Sequence, residues 1–472
     1  MRTQRSFWLA ATVTSLMAVS FLSGLGLRRL YSLVVRPDLL SSLRFASTST
    51  GDPDLRPSTL YYEALRRLEA YYVEPLPADK TAMANGAIEG MLALLDDPNT
   101  RLLAPREWEA LQEAGEGHFR GLGAQMMIRK LKPADHGVER ALMVVSVMPG
   151  SPAEKAGLMS GDRITYVGGK WVLDRHLSQR ELLALTDGLE QENTPPNTPA
   201  SPEDEKRRQQ REQAEQMRRR LLNHIEIGAA MVLLSTGEGP QELTVERSGE
   251  AKPLTLKVTL GTTEVTPIEE RRINGTTGYV RLLILNDATA KALEKILATY
   301  ATQGVKNLVL DLRQSPGGKL QAAVQIASLL ISDGTMAILK ERDKDRKEVL
   351  RPLRTRGSRP GIRPAGLTVM VDGGTTGASE LLAAALRDNL GVQLVGSKTF
   401  GDGTLQEIVE LDNGSALSIT RAYVLTAKAR ASYDGRGLTP NGPAAAGQEG
   451  IAAAVRALAP LPRPSARPRR PA

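Results

Sequence analysis

The stretch from Leu367 to Gln406 constrains this chain more than any other part of it. Leu367 to Val371 is a short apolar run rich in branched residues, which at this length predicts a buried strand. Asp372, Gly373, Gly374, Thr375 and Thr376 cannot prolong it, and glycine accepts backbone angles that other residues resist. From Ala378 a helix is predicted: Leu381, Leu382, Ala385 and Leu386 keep one face apolar, and Glu380 sits in the first turn, where the helix dipole favours a carboxylate. Strand, tight elbow and helix follow one another directly. Such an elbow is where hydrolases often present a nucleophile, backed by the amide groups of the helix start.

The same residues carry a longer pattern. Ala378, Ser379, Glu380, Ala383, Ala385, Leu386, Asp388, Asn389, Val395, Gly396, Thr399, Phe400, Gly401, Gly403 and Gln406 fall in register, without a gap, on the core motif of the carboxyl-terminal processing peptidases. The stretch resembles that family, also called tail-specific proteases. The resemblance implies a nucleophilic serine three residues before the glutamate, and a lysine base between the two glycines that follow the phenylalanine. Here those positions hold Gly377 and Asp402, while Gln406 is retained. A hydroxyl becomes a useful nucleophile only when a nearby group takes its proton. Glycine has no atom to attack with. Aspartate, with a reference pKa of about 3.9, is a weak base, and burial without a partner tends to protonate it. The resemblance thus implies a catalytically degenerate member. Ser379 or Thr376 with Lys398 as base is the alternative that would keep a serine-type endopeptidase active; the plainer reading is that Ser379 and Thr376 cap the helix through their oxygens.

Upstream, Leu308 to Leu310 predicts another buried strand, closed by Asp311-Leu312-Arg313-Gln314-Ser315-Pro316-Gly317-Gly318. This resembles the family's glycine turn and implies that an amide of Gly317 or Gly318, with that of Ala378, is what remains of an oxyanion hole. Two N–H groups converging on one oxygen stabilise a tetrahedral intermediate. Without a nucleophile no such intermediate forms.

The resemblance extends in order along the chain. Leu60 to Tyr72 and Ala82 to Leu95 have helical spacing, and Leu94 to Thr100 resembles the turn that ends the family's N-terminal helical segment. Phe119 to Ala124 resembles the carboxylate-binding loop of a PDZ domain. Gly121, Leu122, Gly123 and Ala124 would then offer backbone N–H groups to a peptide C-terminus. Val144 to Lys170 resembles the strand, short helix, turn and strand that follow in that domain. The sheet is expected to resume with strands at Ala230 to Leu234, Leu243 to Arg247 and Leu254 to Leu260. Glu407 to Leu411 and Ala416 to Thr420 predict a hairpin turning at Asn413-Gly414.

Composition narrows the function. The formal charge is +8, but nine arginines lie in two terminal arms, leaving residues 37–460 at about −1; an extended nucleic-acid surface is not expected. There is no cysteine, and the four histidines, His118, His136, His176 and His224, lack metal-ligand spacing. No metal and no cofactor is predicted. Phe7 to Leu27 carries no charge and follows Arg2 and Arg5, as an export signal or membrane anchor does.

The expected organisation is therefore α+β and multidomain. An anchor or signal (1–36) and a linker (37–57) precede an N-terminal helical segment (58–116). A PDZ-like β-sandwich (117–262) with a charged insertion (187–221) leads to a ClpP/crotonase-like αβ peptidase core (263–445) and a C-terminal helix with a basic tail (446–472). The expected partners are protein C-terminal peptides, an active relative or a second copy of the chain, and the membrane of the cell envelope through the N-terminal segment.

Overall fold

The structure, a computed structural model, describes residues 56–76, 80–131, 140–173, 215–216, 218–355, 363–443 and 447–462. The expected anchor, the linker up to residue 55, most of the insertion and the end of the basic tail lie outside the described residues; residues 56 and 57, expected in the linker, begin the first helix. Among the described residues no helix is long and apolar enough to cross a membrane. The chain divides into two units, residues 1–79 and 80–472, and the first contributes one described helix, α1 (Arg56–Tyr71).

The second unit begins with α2 (Lys80–Ala93), β1 (Arg101–Leu103), α3 (Pro105–Glu116) and β2 (His118–Phe119). A PDZ-like sheet follows: β3 (Ala124–Lys130), β4 (Arg140–Val147), the short helix α4 (Pro152–Lys155), β5 (Arg163–Val167), β6 (Lys170–Leu173) and β7 (His224–Glu226). Then come α5 (Ile227–Thr236), β8 (Gly239–Glu246) and β9 (Leu254–Leu260). The strand order is β3-β4-β5-β6-β7, with β8 joining β5 to β9. β3 is thus an edge strand. The run Ala230 to Leu234, expected as a strand, is the middle of α5. Short apolar runs do not distinguish the two states by periodicity, and burial of Ala230, Met231 and Leu234 on one side of the helix closes the core of the sheet.

The remainder is built on β10 (Thr263–Glu264), β11 (Ile268–Arg272), β12 (Thr277–Leu282), α6 (Asp287–Thr302), β13 (Asn307–Asp311) and α7 (Leu320–Leu330). A hairpin, β14 (Thr335–Arg342) and β15 (Glu348–Arg354), precedes β16 (Gly366–Val371), α8 (Gly377–Leu390) and β17 (Gln393–Gly396). The chain continues through β18 (Thr404–Glu410), β19 (Ala416–Thr426), α9 (Gly447–Arg456) and β20 (Ala459–Pro460). β12, β13, β16 and β17 run parallel, flanked by antiparallel β11, and β20 pairs antiparallel with β16. All six residues of β16 are buried, as expected of a parallel strand covered on both faces. A second sheet, β1-β19-β14-β15 with β18 on β19, packs against the other side of α8 through Ala422 and Val424.

The PDZ-like sheet is tied to the core at defined points. Phe119, Met148, Val265, Leu283 and Ile284 form one buried cluster between them. Ser146 Oγ donates to the carbonyl of Gly374 at 2.7 Å, and the N–H of Val147 donates to Gln314 Oε1 at 2.9 Å.

Candidate active site

The elbow after β16 is held by its own side chains. Asp372 Oδ1 accepts the N–H groups of Gly374 (2.9 Å) and Gln314 (3.0 Å), and its Oδ2 accepts from the Gln314 amide at 2.7 Å. Thr375 Oγ1 donates to the carbonyl of Leu312 at 2.7 Å. Two turns from separate βα units are thereby locked together. Gly377 follows with φ +52, a left-handed angle at which a side chain is strained.

The two turns bring the amide groups of the helix start to those of the glycine turn. A Cβ built on Gly317 would lie 2.9 Å from the nitrogen of Ala378. Gly317, Gly318 and Ala378 all line one cleft of about 760 Å³, and their N–H groups donate to no other described residue. Gly318 has φ +134, and a side chain there would strike the carbonyl of Leu285 at 2.3 Å. Only glycine permits that close passage.

Gly377 and Asp402, far apart in the chain, meet in the same cleft. A Cβ at residue 377 would lie 3.6 Å from Asp402 Oδ2 and 3.8 Å from the carbonyl of Pro316. Asp402 Oδ1 accepts from the hydroxyl of Thr404 at 2.7 Å. Burial, chiefly, raises the Asp402 carboxyl above its ordinary range; the Thr404 bonds oppose this. The loop carrying Asp402 is pinned by Glu380, which is fully buried and accepts from the Thr399 hydroxyl and the N–H groups of Gly401 and Asp402, both at 2.8 Å. Burial pushes Glu380 up to about 7. Gln406 also lines the cleft, with Nε2 donating to Thr404 Oγ1 at 3.0 Å and Thr420 Oγ1 at 3.1 Å.

The alternative dyad is not assembled. Ser379 is fully buried, outside the cleft lining, with its Oγ 2.7 Å from that of Ser315. Lys398 is exposed and also outside the cleft lining. The expected caps fail too: Thr376 occupies the N-cap position of α8 but its side chain accepts no N–H from the helix, and Ser379 is spent on Ser315. Thr376 lines the cleft, and its Oγ1 is buried without a hydrogen-bond partner among the described residues.

The loop expected to offer amides to a peptide carboxylate is partly closed. The N–H of Leu122 donates to the carbonyl of Leu234 at 2.8 Å and that of Gly123 to Arg120 at 3.3 Å. Gly121 packs so tightly that a Cβ would lie 2.0 Å from the Leu234 oxygen. What remains open is the neighbouring edge: Gln125, Met126, Met127 and Ile128 of β3, with Met231 of α5, line the cleft that holds Gly377. Sequence reasoning missed these residues and also Pro98 and Asn99, whose turn reaches the site through Asn99 Nδ2 and Thr404 Oγ1 at 3.3 Å. The turn before Thr100 was a readable signal for the latter. For β3 the signal was its place one strand after the carboxylate-loop motif.

Residues 276–443 match the model of peptidase family S41, and residues 143–192 that of the PDZ domain. A carboxyl-terminal-processing protease of Synechocystis sp. is 31% identical over 338 residues, 71% of this chain and 65% of that protein. One from Picosynechococcus sp. is 31% identical over 342 residues, 71% and 67% of the two chains. The chain thus spans about two thirds of the length of these relatives. Among solved structures, a photosystem II D1 C-terminal processing protease superimposes with a TM-score of 0.56 at 26% identity, covering 82% of this chain and 93% of that one.

Proposed function

This chain belongs to the carboxyl-terminal processing proteases of peptidase family S41, and from that premise we propose that it captures protein C-terminal segments without cutting them. One observation carries the reading. At the nucleophile position stands a glycine whose Cβ site faces the carboxylate of Asp402 where the family's lysine is expected. Serine-type acyl transfer needs a hydroxyl and a group to deprotonate it, and this pair supplies no hydroxyl and, in place of the lysine, only a carboxylate. The rest of the cleft favours peptide binding. The free edge of β3 can pair with an extended segment through main-chain bonds, Met126, Met231 and Ile128 offer apolar contact, and the amides of Gly317 and Ala378 remain available for a peptide oxygen.

The uncharged run Phe7 to Leu27 supports an exported or membrane-anchored location, where the chain would act as a scaffold or as a regulator of an active relative or of its own copies. The test uses the full-length chain with peptides of apolar C-terminus. Saturable binding that weakens on amidation of the terminus, with no fragments by mass spectrometry and no adduct with a fluorophosphonate probe, is expected. Cleavage abolished by Ser379→Ala or Thr376→Val would overturn the reading.

A further inference from the structure

The space beside Gly377 has a one-sided lining. Outside its own helix and chain neighbours, a Cβ there would meet only two atoms within 4 Å, Asp402 Oδ2 and the carbonyl oxygen of Pro316. Both accept hydrogen bonds, and neither receives one from the described residues. Two residues of the same lining, Thr376 and Tyr433, 2% and 4% exposed, each carry a buried hydroxyl oxygen without a hydrogen-bond partner among the described residues. The other charged side chains of the lining are matched: Arg101 with Glu107 at 2.5 Å, and Lys319 with Glu116 at 3.5 Å. Asp402 has no ion pair among the described residues. Arg129, the cation that bears on it, is turned to Phe400, donating to its carbonyl at 2.9 Å and lying 4.5 Å from its ring.

Resting on the reading of this cleft as a non-cleaving peptide receptor, we propose that the space between Gly377 and Asp402 is a socket for the ammonium of a lysine side chain on the bound peptide. An ammonium brings three donors and no acceptor, which suits a lining of oxygens. Its charge would pair a carboxylate that burial otherwise disfavours. Its compact head fits where a planar guanidinium needs a wider fork. Glycine at residue 377 is what leaves the room, because any side chain would begin inside the socket. The ligand's lysine would then stand beside the position from which the family's own lysine has been lost.

The experiment is calorimetric titration of the full-length chain with decapeptides of free apolar C-terminus in which lysine is stepped along the sequence, each against its norleucine counterpart. At one position lysine should bind roughly tenfold or more tighter than norleucine, as a charge-assisted hydrogen bond to a half-buried carboxylate warrants. The preference should vanish in Asp402→Asn, and in Gly377→Ala, which fills the socket from the other side. Equal affinity for lysine and norleucine at every position in the unaltered protein overturns the socket while leaving peptide capture standing. Retention of the preference in a folded Asp402→Asn protein overturns it as well. Failure of every peptide to bind overturns peptide capture, and the socket with it.

Discussion

The carboxylate of Glu380 accepts the backbone N–H of Asp402 at 2.8 Å, so a residue in the first turn of α8 fixes the height at which Asp402 enters the cleft. Its raised pKa, from 4.5 to about 7, means that the folded state binds the proton more tightly than the unfolded chain does. Such a group contributes stability that is present below about 4.5 and lost as pH rises towards 7. The urea midpoint should therefore fall between pH 5 and pH 7.5 by the equivalent of roughly 1–3 kcal/mol. In Glu380→Gln that slope should flatten. A variant whose pH dependence parallels the parent would contradict the assignment.

The geometry at Gly377 predicts what would place a serine–lysine pair in the cleft. A new Cβ has ordinary van der Waals distances to its neighbours, 3.6 and 3.8 Å, and the left-handed backbone adds a cost of about 1–2 kcal/mol. Gly377→Ser together with Asp402→Lys should cleave an unfolded protein substrate at least about 100-fold faster than either single change, the lower range for a general base. Fragment formation followed by mass spectrometry decides it. Equal activity in the Gly377→Ser single variant would show that lysine at residue 402 is not what is missing.

In the PDZ-like sheet, Arg247 makes a two-pronged pair with Asp162, Nε to Oδ1 and Nη2 to Oδ2 both at 2.7 Å, and Asp162 is fully buried. Removing the guanidinium leaves a buried carboxylate with no counter-charge and only the N–H of Met159, at 2.9 Å, donating to it. Arg247→Ala should cost about 3–5 kcal/mol in chemical denaturation. Arg247→Lys should cost less, because it keeps the charge but loses the fork.

Gly121→Ala tests the closed loop. The added methyl meets the Leu234 oxygen at 2.0 Å, at φ +68. A loss of about 2 kcal/mol or more is expected, from strain of the kind that special backbone angles carry. Amide exchange should quicken at Leu122 first, since its N–H bonds that oxygen.

Much of the core could be read from residue type alone. Leu367 to Val371 is one unbroken apolar run because β16 is covered on both faces, and its branched residues and the Asp372-Gly373-Gly374 turn that closes it favour a strand over a buried helix. The convergence of Gly377 on Asp402 followed from motif register, which fixes position along the chain. Side-chain partnership did not follow. Ser379 looks like a cap until Ser315, from another βα unit, is seen 2.7 Å away. Ala230 to Leu234 likewise has strand composition, and tertiary burial decides for a helix. The partial closure of the Gly121 loop depends on that helix, so it could not be read before α5 was placed.

Ser146 and Val147, on the strand next to the open edge, are bonded to Gly374 and to Gln314 of the two locked turns. Swinging the PDZ-like sheet away from the core would therefore strip a buried hydroxyl and a backbone amide of their acceptors at once. Opening the trough between β3 and Gly377 thus carries a cost in buried polar groups as well as in apolar surface.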